Sequence, residues 1–252
     1  MNFTFTTQPA TFLERPNRYR IIARLHEDSQ LINAHCPDPG RLRELLIPGA
    51  TVHISPASHT QRKTAYDLRF VEHPEHGQLV SLDTRLPNHI FQEGLETHFF
   101  VPFRGYQTMQ REVSLPHAPI NGGVHSRIDY RLIDATGHPC WIEVKSASLV
   151  EDRCARFPDA VTARGRRHLL ELTELTHQGI RTAVVFIIQR PDADLLRPQW
   201  RTDPDFGHAL VAAHTAGVEI YAYTCLLTLH HVQLDRAIPV DLTIPLAGSV
   251  DR

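Results

Sequence analysis

Two short segments of alternating polarity, residues 126–133 and 140–146, constrain the fold of this chain more than any other feature. In the first segment, every second residue is apolar, namely Ile128, Tyr130 and Leu132. A strand with this period buries those residues and points Asp129 the opposite way. In the second segment, the same period puts Glu143 and Lys145 on one face. The Asp, Gly and Pro residues between them favour a turn, so the pair predicts a hairpin.

The three polar side chains of this hairpin suit chemistry on a phosphodiester. Asp129 and Glu143 offer carboxylate oxygens, which hard divalent cations such as Mg²⁺ take as ligands. Lys145 adds a point charge for a phosphate and can orient a water beside such a cation. The chain has only two lysines against 24 arginines, so an ammonium at this position suggests a chemical role. The alternative is a solvated strand face with a cross-strand ion pair.

Length, composition and charge limit the class of protein. At 252 residues with 42% hydrophobic content, the chain can bury one large core or two small ones. We find neither an apolar run near the ~20 residues of a membrane span nor a secretory signal, so we expect a cytoplasmic protein without membrane contact. The four cysteines are far apart in sequence, which favours reduced thiols. The net charge is −2, so any surface for nucleic acid must be a local patch.

The first third of the chain has the pattern of a small all-β domain. Five candidate strands are separated by turn sequences, at residues 18–25, 31–35, 50–55, 66–71 and 78–84. Five strands in about eighty residues predict a closed barrel of the oligonucleotide-binding (OB) type, with a two-sided sandwich as the alternative. Basic and aromatic residues are interleaved here: Arg15, Arg18, Tyr19, Arg20, Arg41, Arg43, Arg62, Lys63, Tyr66 and Phe70. This mixture suits backbone contact with base stacking, or an ordinary barrel surface with core aromatics.

The remainder predicts an α/β domain, with a boundary that divides the chain into residues 1–87 and 88–252. Asn88 is the expected N-cap of a helix that ends near Phe99, and Asp159 is the expected N-cap of a second helix that stops at Gly179. Strands are expected near residues 106–115, 126–133, 140–146, 182–188 and 218–224, with a third helix at 203–216. The order helix, three strands, helix, strand favours helices packed on a mixed sheet.

These pieces resemble the PD-(D/E)xK nuclease superfamily, with Asp129, Glu143 and Lys145 as the motif residues. Ile128 stands where a proline often precedes the aspartate. A wider resemblance is to the sugar fermentation stimulation protein family, and it rests on five stretches in the same order: residues 35–41, 62–66, 126–130, 142–146 and 157–165. This resemblance implies an OB-like barrel followed by a nuclease-like α/β domain. It also implies DNA binding and a link to sugar catabolism in bacteria.

Within this frame, Asp129 and Glu143 are expected to hold Mg²⁺ or Mn²⁺, with the backbone carbonyl of Val144 as a further ligand. An additional acid is expected from Glu112, on the first strand of the meander, or from Glu93, on the preceding helix. The alternative is that each of these two acids is a surface carboxylate that does not bind the cation.

The candidate contacts with nucleic acid lie in both halves of the chain. Arg164 and His168 share one face of the second helix. They are expected to bind a phosphate near the N-terminal end of that helix, where the helix dipole is positive. The alternative is a solvated basic start of the helix. Arg127 either contacts a phosphate or pairs with a carboxylate. On the barrel, the candidates are Arg41, Arg62 and Lys63.

Two hypotheses about function follow. The first is a Mg²⁺-dependent DNA nuclease that acts on single- or double-stranded DNA, with RNA as the alternative substrate. The second is a non-catalytic, non-specific DNA-binding transcriptional regulator that keeps the nuclease fold. A homodimer is compatible with both hypotheses.

Overall fold

The computed structural model describes residues 1–57, 64–115 and 126–245. The first unit contains β1 (Gln8–Asn17), β2 (Arg20–Leu25), β3 (Leu31–His35), β4 (Thr51–Pro56), β5 (Tyr66–Glu72) and β6 (Leu79–Ser81). The second unit contains α1 (Leu86–Glu96), β7 (Tyr106–Ser114), β8 (Arg127–Asp134), β9 (Pro139–Ala147), β10 (Val150–Glu151), β11 (Cys154–Phe157), α2 (Ala163–His177), β12 (Arg181–Ile188), β13 (Leu195–Pro198), α3 (Pro204–Thr215), β14 (Glu219–Leu227) and β15 (Val232–Ile238).

The first unit is a closed five-stranded barrel. Its strands follow the order β3-β2-β1-β4-β5, and a parallel pairing between β3 and β5 closes the sheet on itself. Ala34 pairs with Tyr66 in this closure, and β6 extends the sheet at β5. The barrel expected from the sequence is confirmed, and the closing pair rules out the two-sided sandwich.

Strand β1 was not among the five predicted strands, and the prediction was wrong there. β1 contains Pro9 near its start and Pro16 near its end, and proline disfavours strand interiors because it cannot donate to a ladder. Both prolines are tolerated, because Pro9 lies next to the strand end and Pro16 lies beside a register shift between Glu14 and Asn17. The expected fifth strand, residues 78–84, is reduced to the three residues of β6.

The second unit is a mixed six-stranded sheet with helices on both faces. The strand order is β15-β14-β12-β9-β8-β7, in which β7, β8 and β9 form an antiparallel meander and β12 runs parallel to β9 and β14. Alternate residues of β12 enter two separate cores. Phe186 packs on the side of α2 and α3, whereas Val185 packs on the side of α1. The predicted α/β core is confirmed, and the short strands β10, β11 and β13 form an additional small sheet.

Two predicted helix caps were wrong, and both residues have other partners. Helix α1 begins at Leu86, because Pro87 fits the first helical turn, and Asn88 therefore lies inside the helix. The helix ends at Glu96 rather than near Phe99. Helix α2 is capped by Thr162, whose hydroxyl accepts from Gly165 N at 3.0 Å, whereas the Asp159 carboxylate accepts from Leu42 N at 2.8 Å.

No helix among the described residues is long and apolar enough to cross a membrane.

Candidate metal centre

The centre of the site is a fork between β8 and β9. The last pair of the ladder between these strands is Tyr130 with Ile142, and one further step in the same register brings Asp129 opposite Glu143. The Asp129 side chain ends the ladder there, because its Oδ2 accepts from Val144 N at 2.8 Å. The fork thus holds two carboxylates from neighbouring strands side by side.

Glu143 is a buried carboxylate whose two oxygens have different surroundings. It is 4% exposed, because α2 covers this face of β9. Its Oε1 accepts from Lys145 Nζ at 2.6 Å and also meets His168 Nδ1. Its Oε2 is shielded from solvent and has no hydrogen-bond partner among the described residues. The alternative of a solvated ion pair on an open strand face is therefore excluded for Glu143.

Asp129 is held in place by α1. Asn88 Nδ2 donates to Asp129 Oδ1 at 3.3 Å, and the Tyr130 hydroxyl donates to the Asn88 carbonyl at 2.6 Å. Asn88 therefore belongs to the site, a role that sequence reasoning missed by assigning its side chain to a cap. The available signal was Pro87, which predicts a helix start before Asn88 and so frees its amide.

Burial opposes the ionisation of both carboxylates, but the charged neighbours of the two differ. Burial, and then the nearby charge of Glu143, raise the pKa of Asp129 to about 7. Burial also opposes ionisation of Glu143, but Lys145 and His168 outweigh it and lower the pKa of Glu143 to about 2. Glu143 is thus the permanent anion of the pair, and Asp129 is the group that a bound cation would help to ionise.

The oxygens at the fork fit a hard divalent cation. Glu143 Oε2 and Asn88 Oδ1 are both buried without a hydrogen-bond partner among the described residues, and Asp129 accepts from Asn88 and lies in register with Glu143. Such unpaired oxygens cost free energy unless a ligand binds them. In residues 1–57, 64–115 and 126–245, no three His, Cys, Asp or Glu side chains lie close enough together to share a metal ion. Two carboxylates, with amide or backbone oxygens and water, are therefore the available ligands.

The two candidates for an additional acid do not join this pair. Glu112 is an exposed residue of β7 with a φ of 52°. Glu93 lies on α1, one helical turn beyond Asn88 and His89, with its side chain 43% exposed. The described residues thus place Asp129, Glu143 and Lys145 together and leave Glu112 and Glu93 outside.

The predicted contacts with nucleic acid separate into three groups. His168 is 1% exposed and both of its ring nitrogens have protein partners, so its expected contact with a phosphate was wrong. Arg164 lies in the first turn of α2 beside it, whereas Arg127 and Arg41 are exposed. Arg62 and Lys63 lie outside the described residues.

Two barrel residues of the basic and aromatic set have structural roles. Arg15 donates to the backbone carbonyls of four residues: Arg18, Asp38, Gly40 and Arg41. Phe70 is 1% exposed and belongs to the core that contains α1. Tyr19, in contrast, is 56% exposed and stacks on His35 with ring centroids 6.5 Å apart.

A cleft of about 340 Å³ adjoins Lys145, between the barrel and the α/β unit. Asp38 and Gly40 line it from the barrel, and Ser148 and Asp159 line it from the other side. Two hydrogen bonds cross it: Asp159 accepts from Leu42 N at 2.8 Å, and Ser148 Oγ donates to Asp38 Oδ2 at 3.4 Å. Sequence reasoning missed this cleft, although residues of three of the five family stretches line it.

A closed OB barrel followed by a nuclease-like α/β unit, with an Asp and a Glu-x-Lys at a strand fork, defines a class of two-part proteins. Family models agree with this division of the fold. The model of the SfsA N-terminal OB domain matches residues 13–82, and that of the sugar fermentation stimulation protein RE domain matches residues 85–231. The chain belongs to the sugar fermentation stimulation protein family.

Relatives cover nearly the whole chain. A sugar fermentation stimulation protein homolog from Moorella thermoacetica is 48% identical over 218 residues, which cover 86% of this chain and 88% of the relative. A homolog from Alkaliphilus metalliredigens is 41% identical over 226 residues, with 89% and 92% covered. The solved structure of Pyrococcus furiosus SfsA in complex with Ca²⁺ superposes with a TM-score of 0.81 at 31% identity and covers 96% of this chain and 98% of that protein.

Proposed function

We propose that this protein is a DNA-binding phosphodiesterase that uses Mg²⁺ or Mn²⁺ at the fork between β8 and β9. The single observation that carries the proposal is Glu143 Oε2, a buried carboxylate oxygen without a hydrogen-bond partner among the described residues, next to Asp129. An unpaired buried oxygen costs free energy, and a hard cation at the fork would satisfy both acids at once.

The relative from Pyrococcus furiosus, which was solved in complex with Ca²⁺, supports a divalent cation in this fold. Asp129 and Glu143 would hold the cation, with Asn88 Oδ1 and the Val144 carbonyl as neutral oxygens nearby. When bound, a divalent cation activates water and neutralises charge that develops on the phosphate.

The residues around the pair have separate roles in this proposal. Asn88 orients Asp129 through its amide, and Lys145 lines the adjoining cleft while its Nζ lies 2.6 Å from Glu143 Oε1. A phosphate in the cleft would lie beside this ammonium, with Arg18 and Arg156 also lining the cleft. Lys145 can then hold the phosphate by charge, while Glu143 keeps its Oε2 for the cation.

Contact with DNA is proposed through exposed cations on both units. On the barrel, Arg41 and Arg43 are exposed, and the stacked pair of Tyr19 and His35 offers a platform for a base. On the α/β unit, Arg127 lies two residues before Asp129. Arg164 contacts His168, which contacts Glu143. Arg62 and Lys63, which extend the same set along the chain, remain proposed contacts. A homodimer and a cytoplasmic location stay predictions from the sequence.

The test compares the wild type with Asp129→Asn and Glu143→Gln on labelled single-stranded DNA, double-stranded DNA and RNA, with Mg²⁺, Mn²⁺ or EDTA. Loss of either carboxylate should lower the rate of cleavage by about 100-fold or more, because charge stabilisation at the phosphate depends on the cation. Cleavage that persists in EDTA, or that Asp129→Asn leaves intact, would refute the proposal. Cleavage of RNA but not of DNA would support RNA as the substrate.

Two further variants sharpen this test. Glu96→Gln changes an exposed carboxylate on α1 whose partner is Gln92, so it serves as a matched control that should keep the wild-type rate. Glu112→Gln decides whether that acid joins the centre when substrate binds. A loss comparable to that of Asp129→Asn would add Glu112 as a ligand, and a wild-type rate would leave it out.

One observation favours the second candidate function, a DNA-binding regulator without turnover. The described residues bring two acidic ligands to the fork, and neither Glu93 nor Glu112 adds a third. This function predicts DNA binding by the wild type with no cleavage under any of the metal conditions above.

A further inference from the structure

We infer that His168 is a positioning residue for Glu143: it holds Oε1 so that Oε2 is left to the cation. This inference rests on the proposed function, since it assigns a purpose to His168 only if a cation binds at the fork. It replaces the expected contact of His168 with a phosphate.

The two donors around Glu143 act on the same oxygen. His168 Nδ1 meets Oε1, and Lys145 Nζ lies 2.6 Å from that same atom. One donor comes from α2 and the other from β9, so a rotation of the carboxylate would break contacts with two different elements. The carboxylate plane is therefore fixed, and Oε2 keeps one direction.

The second ring nitrogen explains why His168 donates to Glu143. Arg164 Nε approaches His168 Nε2 at 3.4 Å, and a guanidinium can only donate. His168 Nε2 therefore accepts, which assigns the ring proton to Nδ1, where it points at Glu143 Oε1. Arg164 donates to His168 and His168 donates to Glu143, so a chain of hydrogen bonds runs from the surface of α2 to the fork.

Burial rules out a direct contact between His168 and DNA. The residue is 1% exposed and lies on the face of α2 that packs against β9 and β12, beside Leu169 and Leu172. Neither ring nitrogen is free for a phosphate. Any effect of His168 on the site must therefore pass through Glu143.

The two oxygens of Glu143 differ in their hydrogen bonds. Buried carboxylates in proteins usually have both oxygens paired, because an unpaired buried oxygen costs free energy. Here two donors share Oε1, while Oε2 has no partner in the part of the chain that the structure describes. Glu171 also pairs Oε1 and leaves Oε2 without a partner among the described residues, so it is the position of Glu143 Oε2 at the fork with Asp129 that marks it as a cation ligand.

The test uses three substitutions of different shape. His168→Asn keeps a donor near the position of Nδ1, His168→Gln moves its donor toward the position of Nε2, and His168→Leu removes it. Calorimetric titration with Mn²⁺ measures cation affinity, and titration with a labelled oligonucleotide in EDTA measures DNA affinity without a cation. Thermal unfolding in EDTA confirms that each variant is folded.

We expect His168→Leu and His168→Gln to lower Mn²⁺ affinity by about 10-fold or more, as for other groups that orient metal ligands, and His168→Asn to stay within about threefold of wild type. DNA affinity in EDTA should be equal in all four proteins. His168→Gln is polar and similar in size to histidine, so it keeps the comparison valid if His168→Leu does not fold.

The outcomes separate this inference from the proposed function. If Asp129→Asn binds Mn²⁺ as tightly as wild type, the proposed centre itself fails. If Asp129→Asn loses Mn²⁺ while both His168→Leu and His168→Gln retain it, only the positioning role fails. If the His168 variants bind DNA more weakly than wild type in EDTA, the result would instead support a direct contact between His168 and a phosphate.

Discussion

At the scale of single residues, the contact between the two units depends on a crowded group around Gly40. A Cβ atom at Gly40 would lie 2.7 Å from Asp159 Oδ2 and 2.9 Å from Asp38 Oδ1, so only glycine fits between these carboxylates. Asp38 is 7% exposed and accepts from Gly40 N at 2.7 Å. Burial, with the charge of Asp159 also contributing, raises the pKa of Asp38 to about 6.

A pH dependence follows from this raised pKa. Between about pH 4 and pH 6, the folded protein binds more protons at Asp38 than the unfolded chain does, so the stability contributed by this group is lost as the pH rises through that range. Asp38→Asn carries no charge and should remove this loss, which is roughly 3 kcal/mol at most. The melting temperature of Asp38→Asn relative to wild type should therefore increase from pH 4 to pH 7. A difference that does not change with pH would contradict the assignment.

At the scale of secondary structure, α2 is the most important helix for the candidate metal centre, because it carries both Arg164 and His168. Its first turn is fixed by the Thr162 hydroxyl, and the Thr162 backbone is held in turn by the carboxylate of Asp203, which accepts from Thr162 N at 2.8 Å. Asp203 also caps α3 by accepting from Phe206 N at 3.0 Å. The starts of α2 and α3 are thus coupled through one carboxylate.

The cap of α2 gives a prediction with a matched control. Thr162→Ala removes the hydroxyl that accepts from Gly165 N, and it should lower the free energy of unfolding by about 1 kcal/mol. Thr162→Ser keeps the hydroxyl and should cost much less. Urea denaturation of both variants measures the difference. Equal losses would show that the methyl group of Thr162, rather than its cap, is responsible.

The elements that could be predicted from the sequence are those with a strong internal pattern. The meander strand β8 and the doubly covered strand β12 follow from periodicity alone, because alternation and continuous apolar runs are local signals. Strand β1 was missed because its two prolines contradict a strand locally, and only pairing with β2 and β4 overrides them. The caps were misassigned because Asn88 and Asp159 have long-range partners that no local window contains.

At the scale of the whole molecule, a chain with a net charge of −2 requires local cations for any contact with DNA. Arg41 is exposed on the barrel next to the loop that meets the α/β unit, whereas Arg104 lies just beyond the far end of α1. Helix α1 rises by about 12 Å from Asn88 to its last residue, and Arg104 lies beyond that end of the helix, away from the fork. The division of the chain after residue 87 stays a prediction, although helix α1 of the second unit already begins at Leu86.

These positions predict different salt dependences. If Arg41 contacts one phosphate, Arg41→Gln should reduce the slope of log affinity against log salt concentration by about one, because one fewer counterion is released. Arg104→Gln is the matched control and should keep the wild-type slope. Fluorescence anisotropy with a labelled oligonucleotide between low and moderate salt measures both. Identical slopes for the two variants would remove Arg41 from the interface.

The sequence by itself determined the class of fold and the identity of the two carboxylates and the lysine, because these depend on periodicity and spacing within single strands. The tertiary structure decided which groups surround them. Only the packing of α1 and α2 on the sheet brings Asn88 to Asp129 and His168 to Glu143, and only the contact between barrel and α/β unit forms the cleft beside Lys145. Hydrogen bonds between residues that are 25 to 117 positions apart leave no trace in a local pattern, so they had to be read from the folded chain.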